Sequence, residues 1–326
     1  MRFRRRDFLR LAGGASGLAA LPTASRLARA DSYPSRSVRI VVGFPPGAAT
    51  DIVGRLMAQA LTQKFSQQFF VENKPGAGSN LAADLVAKAP PDGYNLLAMT
   101  VTNAVNETLY KNLSFDFMRD LVPIARTIRS ANVLVVNLSV PANNVAEFVA
   151  YAKANPGKLN YASYGFGTAP NMAGELFNML AGTKLVHVPY HSNFMPDLLS
   201  GQVQLSFLPV PLIIGFIRSK QVRALGVSST TPSDALPGVP PIAQTVPGYA
   251  ADIWHGIAAP KATPPEIVGT LHDTIDAILI DPALKPKFAD LGAEPAPLST
   301  ADLRTFIAAE VDKWAKVIKF ADIKAG

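Results

Sequence analysis

Residues 37–65 read SVRIVV GFPPGAAT DIVGRLMAQALTQKF, and this stretch decides the fold. The β-branched run at 37–42 predicts a strand, and the Gly- and Pro-rich turn at 43–50 ends it. From Asp51 onward Ile52, Leu56 and Ala60 recur at helical spacing beside Val53, Met57 and Leu61, with Thr50 or Asp51 placed to cap the helix. The same order recurs outward from there. Strands at 68–72 and 94–99 flank a helix at 80–89. Further on, Asn144-Val145-Ala146-Glu147 forms a capping box before a helix to 155, followed by a strand at 158–162 and a helix at 170–181 that has Pro in its first turn. Strands at 185–188, 203–207 and 222–227 alternate with helices near 194–200 and 212–219. Pro and Gly crowd 232–248 into a long loop, 252–258 can form a strand, and helices at 265–280 and 300–321 follow. The last helix carries Leu303, Phe306, Ile307, Val311, Trp314, Val317 and Ile318 as a packing face. Alternating short apolar strands and helices predict an α/β fold on largely parallel sheets, and 326 residues suggest two domains, each with its own core.

The chain has 31 Lys and Arg against 24 Asp and Glu, a net charge of +7, 48% hydrophobic residues and no cysteine. Hydrophobicity at this level excludes a disordered chain. Lack of cysteine excludes disulfides, thiolate metal sites, iron–sulfur clusters and a Cys nucleophile. A basic chain first suggests a polyanionic partner, but seven arginines and one aspartate fall within residues 1–30. Residues 31–326 then hold 24 basic and 23 acidic side chains, which removes the electrostatic case for nucleic acid. Residues 1–30 have the parts of an export signal: a basic start, an apolar stretch at 11–24 and Ala28-Arg29-Ala30 as a cleavage site. The run Arg5-Arg6-Asp7-Phe8-Leu9-Arg10 resembles the twin-arginine consensus, so a periplasmic location with cleavage after Ala30 is expected.

Searches for catalytic chemistry return little. No G-x-S-x-G elbow follows residue 30, and neither G-x-x-x-x-G-K-[ST] nor G-x-G-x-x-G occurs; Gly76-Ala77-Gly78 lacks its third glycine because position 81 is Leu81. His187 and His191 have a metal-ligand spacing but are separated by Pro189 in a strand-like run, and His255 and His272 have no ligand-type neighbours. No catalytic residue, metal site or cofactor is expected. What the chain does carry is glycine- and hydroxyl-rich turns ahead of helices: Gly47-Ala48-Ala49-Thr50, Pro75-Gly76-Ala77-Gly78-Ser79 and Gly165-Phe166-Gly167-Thr168. At the carboxyl ends of strands such turns line the ligand crevice of open α/β sheets. A helix start offers unpaired N–H groups and partial positive charge, so it can hold a carboxylate without Lys or Arg.

Several motifs together carry a resemblance. They are VVGFPPGAATD at 41–51, VENKPGAGSN at 71–80, PDGY at 91–94, the 133–137 run with Val140-Pro141, and PGKLNYAS at 156–163. AGELF at 173–177, HVPY at 187–190, Gly201-Gln202-Val203 and Arg223-Ala224-Leu225 follow in the same order. From about residue 33 to the last helix the chain resembles the Bug family of tripartite tricarboxylate transporter receptors. The resemblance implies an α/β, two-lobed periplasmic binding protein of the type II kind. Residues 31–132 and 253–326 would form one lobe and 133–252 the other, with crossover strands at 133–137 and 252–258. It implies a small organic acid as ligand, a membrane permease (or a sensor kinase) as partner, and a monomer without cofactor.

By the same resemblance the ligand is held by three loops. The first comprises Phe44, Pro46, Gly47, Ala48, Ala49, Thr50 and Asp51; the second is the turn with Thr100, Thr102 and Asn103. The third comprises Ser163, Tyr164, Gly165, Phe166, Gly167 and Thr168, with His187, Asn193, Phe194 and Leu208 nearby. Departures from the family pattern bear on specificity. Ala48-Ala49 stand where glycines are common, and Tyr164, Phe166 and Leu208 stand where polar residues are common. The expected pocket anchors one carboxylate and prefers an apolar or aromatic remainder, with a neutral or amide ligand as the alternative.

Overall fold

The computed structural model describes residues 33–190 and 192–324; His191 and the export-signal reading of residues 1–30 lie outside them. Strand β1 (Val38–Val42) leads through the first turn into α1 (Ala49–Phe65), β2 (Phe69–Asn73), a 3₁₀ turn at Ala77–Ser79, α2 (Asn80–Ala87) and β3 (Asn95–Thr100). Next come α3 (Val101–Leu109), α4 (Phe117–Asp120), β4 (Leu121–Ser130), β5 (Asn132–Asn137), α5 (Val145–Ala154), β6 (Asn160–Ser163) and α6 (Ala169–Ala181). After these lie β7 (Val186–Pro189), α7 (Met195–Ser200), β8 (Leu205–Pro209), α8 (Val210–Arg218) and β9 (Val222–Val227). The chain closes with β10 (Ile253–Pro260), α9 (Pro265–Leu279), α10 (Lys285–Asp290), β11 (Glu294–Pro295) and α11 (Thr300–Ala321). Asn144 caps α5 as expected, its Oδ1 accepting from the Glu147 N–H at 2.8 Å, but the reciprocal half of the box is replaced: Glu147 accepts from Asn144 Nδ2 and from the Asn143 N–H, both at 2.7 Å.

These strands make two sheets, ordered β11-β4-β10-β3-β1-β2 and β7-β6-β8-β5-β9. Parallel pairing holds for β1 with β2 and β3, and for β6 with β7 and β8. Apart from the short antiparallel β11–β4 pair, the exceptions share a cause. β5 and β10 are the strands that enter one sheet from the other, and each runs antiparallel to both of its neighbours. The crossings differ from expectation, because every partner of β5 lies in the second sheet and every partner of β10 in the first. The chain crosses at Ala131, the single residue between β4 and β5, and returns through 228–252. Buried hydrogen bonds pin the crossing: Asn132 donates from its backbone N–H to Ser228 Oγ (2.8 Å) and from Nδ2 to the Ala251 carbonyl (2.9 Å). Ser228 Oγ donates in turn to Asp252 Oδ1 at 2.8 Å.

The first sheet is finished from the far end of the chain. α11 packs on α3 and β4, burying Leu303, Ile307, Trp314, Val317 and Ile318 as the periodicity requires. Glu310 on the same helix is 7% exposed, and its Oε2 accepts from the Trp254 indole at 2.9 Å and the Trp314 indole at 3.0 Å. Lys313 pairs with its other oxygen, so the buried charge is both hydrogen-bonded and neutralised.

Candidate functional site

The first turn delivers Gly47 with φ +84°, a conformation glycine adopts without penalty, and Ala48 then precedes α1 without a side-chain cap. The first bond of the helix ladder runs from the Ile52 N–H to the Ala48 carbonyl at 3.0 Å, so the N–H groups of Ala49, Thr50 and Asp51 come before it. Asp51 is committed to the turn itself. Its carboxylate is 2% exposed and accepts from the Gly47 N–H (2.9 Å), Asn73 Nδ2 (2.8 Å) and Arg55 Nε (3.0 Å). Burial pushes its pKa up, but these hydrogen bonds outweigh that and hold it below the usual carboxylate range. Asn73 Nδ2 also donates to the Phe44 carbonyl at 3.0 Å, so Asp51 and Asn73 together set the shape of the turn.

A cavity of about 400 Å³ opens beside this turn, within the size range of small-ligand sites. Gly47, Ala49, Ile52 and Val53 wall one side, and Ile128, Ser130, Ile253 and His255 at the ends of β4 and β10 form its floor. Pro209, Pro211 and Leu212, at the junction of β8 and α8, face them from the second sheet. Asp290, Leu291 and Ala293 close the rim. The walls are mostly apolar, and Asp290 is the single charged residue on the lining. Ser130 Oγ already donates to the Gly292 carbonyl at 2.8 Å. His255 is 5% exposed, pairs across the ladder with Thr100, and holds its Nε2 3.1 Å from Thr50 Oγ1. Burial pushes its pKa down to about 4, so the ring is neutral near pH 7.

The second loop is not a turn. Helix α3 starts directly at Val101, which puts Thr102 and Asn103 in its first helical turn, where Asn103 Oδ1 accepts from the Thr100 N–H at 2.9 Å. The Pro75–Ser79 turn is structural: Asn106 Nδ2 donates to the Gly78 carbonyl (2.7 Å), and a Cβ on Gly43 would fall 2.0 Å from Ser79 Oγ.

The third loop bonds mainly to its own neighbours, and His187 beside it keeps Nδ1 without a hydrogen-bond partner among the described residues. Ser163, fully buried, sits 2.6 Å from His187 Nε2 and accepts from the Gly165 N–H at 3.1 Å. Thr168 Oγ1 donates to the Gly165 carbonyl (2.7 Å), and the Gly167 N–H donates to Asn171 Oδ1 (3.0 Å). The turn packs on the other sheet's α3: a Cβ on Gly167 would fall 2.7 Å from Leu109 Cδ2. Between α3 and α6 remains a void of about 10 Å³, room for one water at most. His187 is also neutral near pH 7, pushed down to about 4 by burial, with Tyr161 stacked on it and the exposed Phe166 ring edge-on at 4.9 Å. Tyr164, partly exposed, lies 4.9 Å from Phe194.

Two expected ligand residues belong to the core instead. Leu208 and Phe194 are 0% and 1% exposed and pack with Val133, Ala162 and Leu198. Leu208's neighbour Pro209 takes the cavity wall, because side chains alternate along a strand. Asn193 is exposed and accepts from the Met195 N–H at 3.0 Å, away from the cavity lining. Of the expected residues, Gly47 and Ala49 line the cavity, and Thr50 reaches it through His255. Ile128, Ser130, Pro209, Leu212, Ile253 and His255 were not expected there.

Comparisons with known proteins agree on one group. The model of tripartite tricarboxylate transporter family receptors (TctC) matches residues 53–323. The UPF0065 protein of the tcbD-tcbE intergenic region of Pseudomonas sp. strain P51 is 35% identical over 305 residues, covering 92% of this chain and 91% of its own. Among solved structures, R. palustris Rpa4515 with adipate is 33% identical with a TM-score of 0.74, covering 90% of this chain and 99% of that one. The periplasmic binding protein BugD is 32% identical with a TM-score of 0.71 and the same coverage.

Proposed function

Since the chain belongs to the tripartite tricarboxylate transporter receptor family, we propose that it captures a small organic acid in the periplasm and delivers it to a membrane permease of that transporter type. The family is one of solute-binding receptors, so the chain is a binding protein and not an enzyme. In this reading residues 1–30 are a twin-arginine export address, residues 31–132 and 253–326 form one lobe, and 133–252 the other. The ligand sits between the lobes. One carboxylate meets the N–H groups at the start of α1, and an apolar or aromatic remainder lies among Ile52, Val53, Ile128, Leu212 and Ile253.

The observation that carries this is the 400 Å³ cavity, which joins an uncapped helix start to apolar walls drawn from both sheets. Rpa4515 was solved with adipate, which makes a carboxylate the natural ligand class here. Two carboxylates fit this lining less well, because no Lys or Arg stands on it and Asp290 would repel the second.

Calorimetric titration of the protein with hexanoate, benzoate and adipate tests the reading. Hexanoate and adipate share a carbon count and differ by one carboxylate. We expect heat from the monocarboxylates and at least tenfold weaker binding of adipate. Adipate binding more tightly than hexanoate would remove the single-carboxylate part and keep the organic-acid part. Heat from none of the three would remove both.

A further inference from the structure

A second cavity, of about 130 Å³, lies on the opposite face of the first sheet from the cavity described above. Side chains alternate along 252–255: Ile253 and His255 line the first cavity, Asp252 and Trp254 the second. Arg126 and Arg129 of β4 and Phe306, Glu310 and Lys313 of α11 also line it. The volume falls well below that of drug-sized sites, so an occupant is a molecule of a few heavy atoms.

The charges around this cavity pair off incompletely. Arg129 meets Glu294 at 3.1 Å and Lys313 pairs with Glu310, which leaves Arg126 and Asp252 without an ion-pair partner among the described residues. Burial works against both charges, pushing the Arg126 pKa down and the Asp252 pKa up. Arg126 Nε donates to the Ala296 carbonyl at 2.6 Å, and the guanidinium lies 4.7 Å from the centre of the Phe306 ring. Those two contacts fix the plane of the group. Its Nη1 and Nη2 have no hydrogen-bond partner among the described residues and, unlike Nδ1 of His187 and His255, they remain accessible. Asp252 Oδ1 accepts from Ser228 Oγ at 2.8 Å, while Oδ2 is likewise unpartnered and accessible. A plain anion would meet Asp252 and Glu310 on these walls, and a plain cation would meet Arg126, Arg129 and Lys313. A guest carrying both charges satisfies both ends.

We propose that this cavity binds a small α-amino acid zwitterion, of glycine or alanine size, its carboxylate on the Nη1–Nη2 edge of Arg126 and its ammonium on Asp252. Arg126 lies on the strand that leads into the outgoing crossing, and Asp252 ends the returning one. The occupant therefore ties together the two connections between the sheets. This site stands apart from the organic-acid reading and does not depend on it.

The test is calorimetric titration of wild-type, Arg126→Met, Arg126→Lys and Asp252→Asn proteins with glycine, acetate and methylammonium, with thermal melts to show that each variant folds. Loss of a hydrogen-bonded charge predicts glycine binding weaker on the order of 10- to 100-fold in Arg126→Met and Asp252→Asn. Arg126→Lys keeps the charge and loses the fork, so it should fall between wild type and Arg126→Met. Binding that depends on Arg126 should be at least tenfold weaker for acetate and for methylammonium than for glycine. Glycine affinity within threefold of wild type in the folded Arg126 and Asp252 variants would overturn the assignment. So would acetate binding as tightly as glycine at the Arg126-dependent site, which would make it an anion site, or no heat from glycine, which would leave the cavity to water.

Discussion

The turns that open α1 and α6 are similar in composition, Gly47-Ala48-Ala49-Thr50 and Gly165-Phe166-Gly167-Thr168, yet they stand differently in the molecule. Each has a neutral histidine against it, the buried His255 for the first and the half-buried His187 for the second. Both helix starts lack a side-chain cap, the Gly47 and Gly167 N–H groups each donate to the side chain four residues on, and each histidine meets one hydroxyl and has no hydrogen-bond partner at Nδ1 among the described residues. What differs is the space in front: the α1 turn borders the 400 Å³ cavity, whereas the α6 turn packs on α3 over a void of about 10 Å³. The difference teaches that glycine and hydroxyl content makes a turn able to bind, and that open space in front of the helix start decides which turn does.

The largest effect that can break this comparison is in acid. Both histidines have folded pKa values of about 4 against 6.5 when free, so between those values the unfolded chain binds more protons. Stability conferred by the neutral rings is complete above about pH 6.5 and is lost as pH falls toward 4. A shift of this size corresponds to about 3 kcal/mol for the fully buried His255 and less for the partly exposed His187. Thermal melts from pH 7 to pH 4 should therefore flatten more in His255→Phe than in His187→Phe; equal flattening would mean the two rings are equivalently buried. Next in size is Ser163→Ala, which leaves the His187 ring without its partner and should cost about 1–2 kcal/mol in denaturant titration. Hexanoate affinity should stay within twofold, and a tenfold loss would place the α6 turn on the ligand after all. Smallest is Phe166→Ala. Its exposed ring meets His187 edge-on, so we expect no more than about 0.5 kcal/mol of stability and unchanged affinity for benzoate, the probe most sensitive to an aromatic contact.

Much of this architecture can be read from periodicity. The β1–α1 unit, the Asn144 cap and the last helix follow local rules of spacing and capping, and they occur where those rules place them. Strand β4 and helix α3 escape such a reading for local reasons. Pro123, Arg126 and Arg129 interrupt the apolar run of β4, and the β10 ladder shifts register where Pro123 removes a donor. Helix α3 begins Val-Thr-Asn-Ala-Val-Asn, a composition weak in helix formers that is rescued by packing on α11. The site was legible only on its helix-start side. Gly47 to Thr50 announce a tight turn, whereas His255 is a lone histidine between Trp254 and Gly256 whose partner lies 205 residues away. Nor does Glu310 look unlike an ordinary helix-surface charge until β10, far back in the chain, brings Trp254 onto it. Local pattern encodes elements; pairing across the crossing encodes the site.

Glu310 has one more consequence. The chain contains two tryptophans, and both indoles donate to this carboxylate. Tryptophan emission, excited selectively over tyrosine, therefore has a single address, the seam between the last helix and the strand that carries His255. An optical titration with hexanoate would report from that seam without any attached dye, and the second sheet, which has no indole of its own, would be silent in the same measurement.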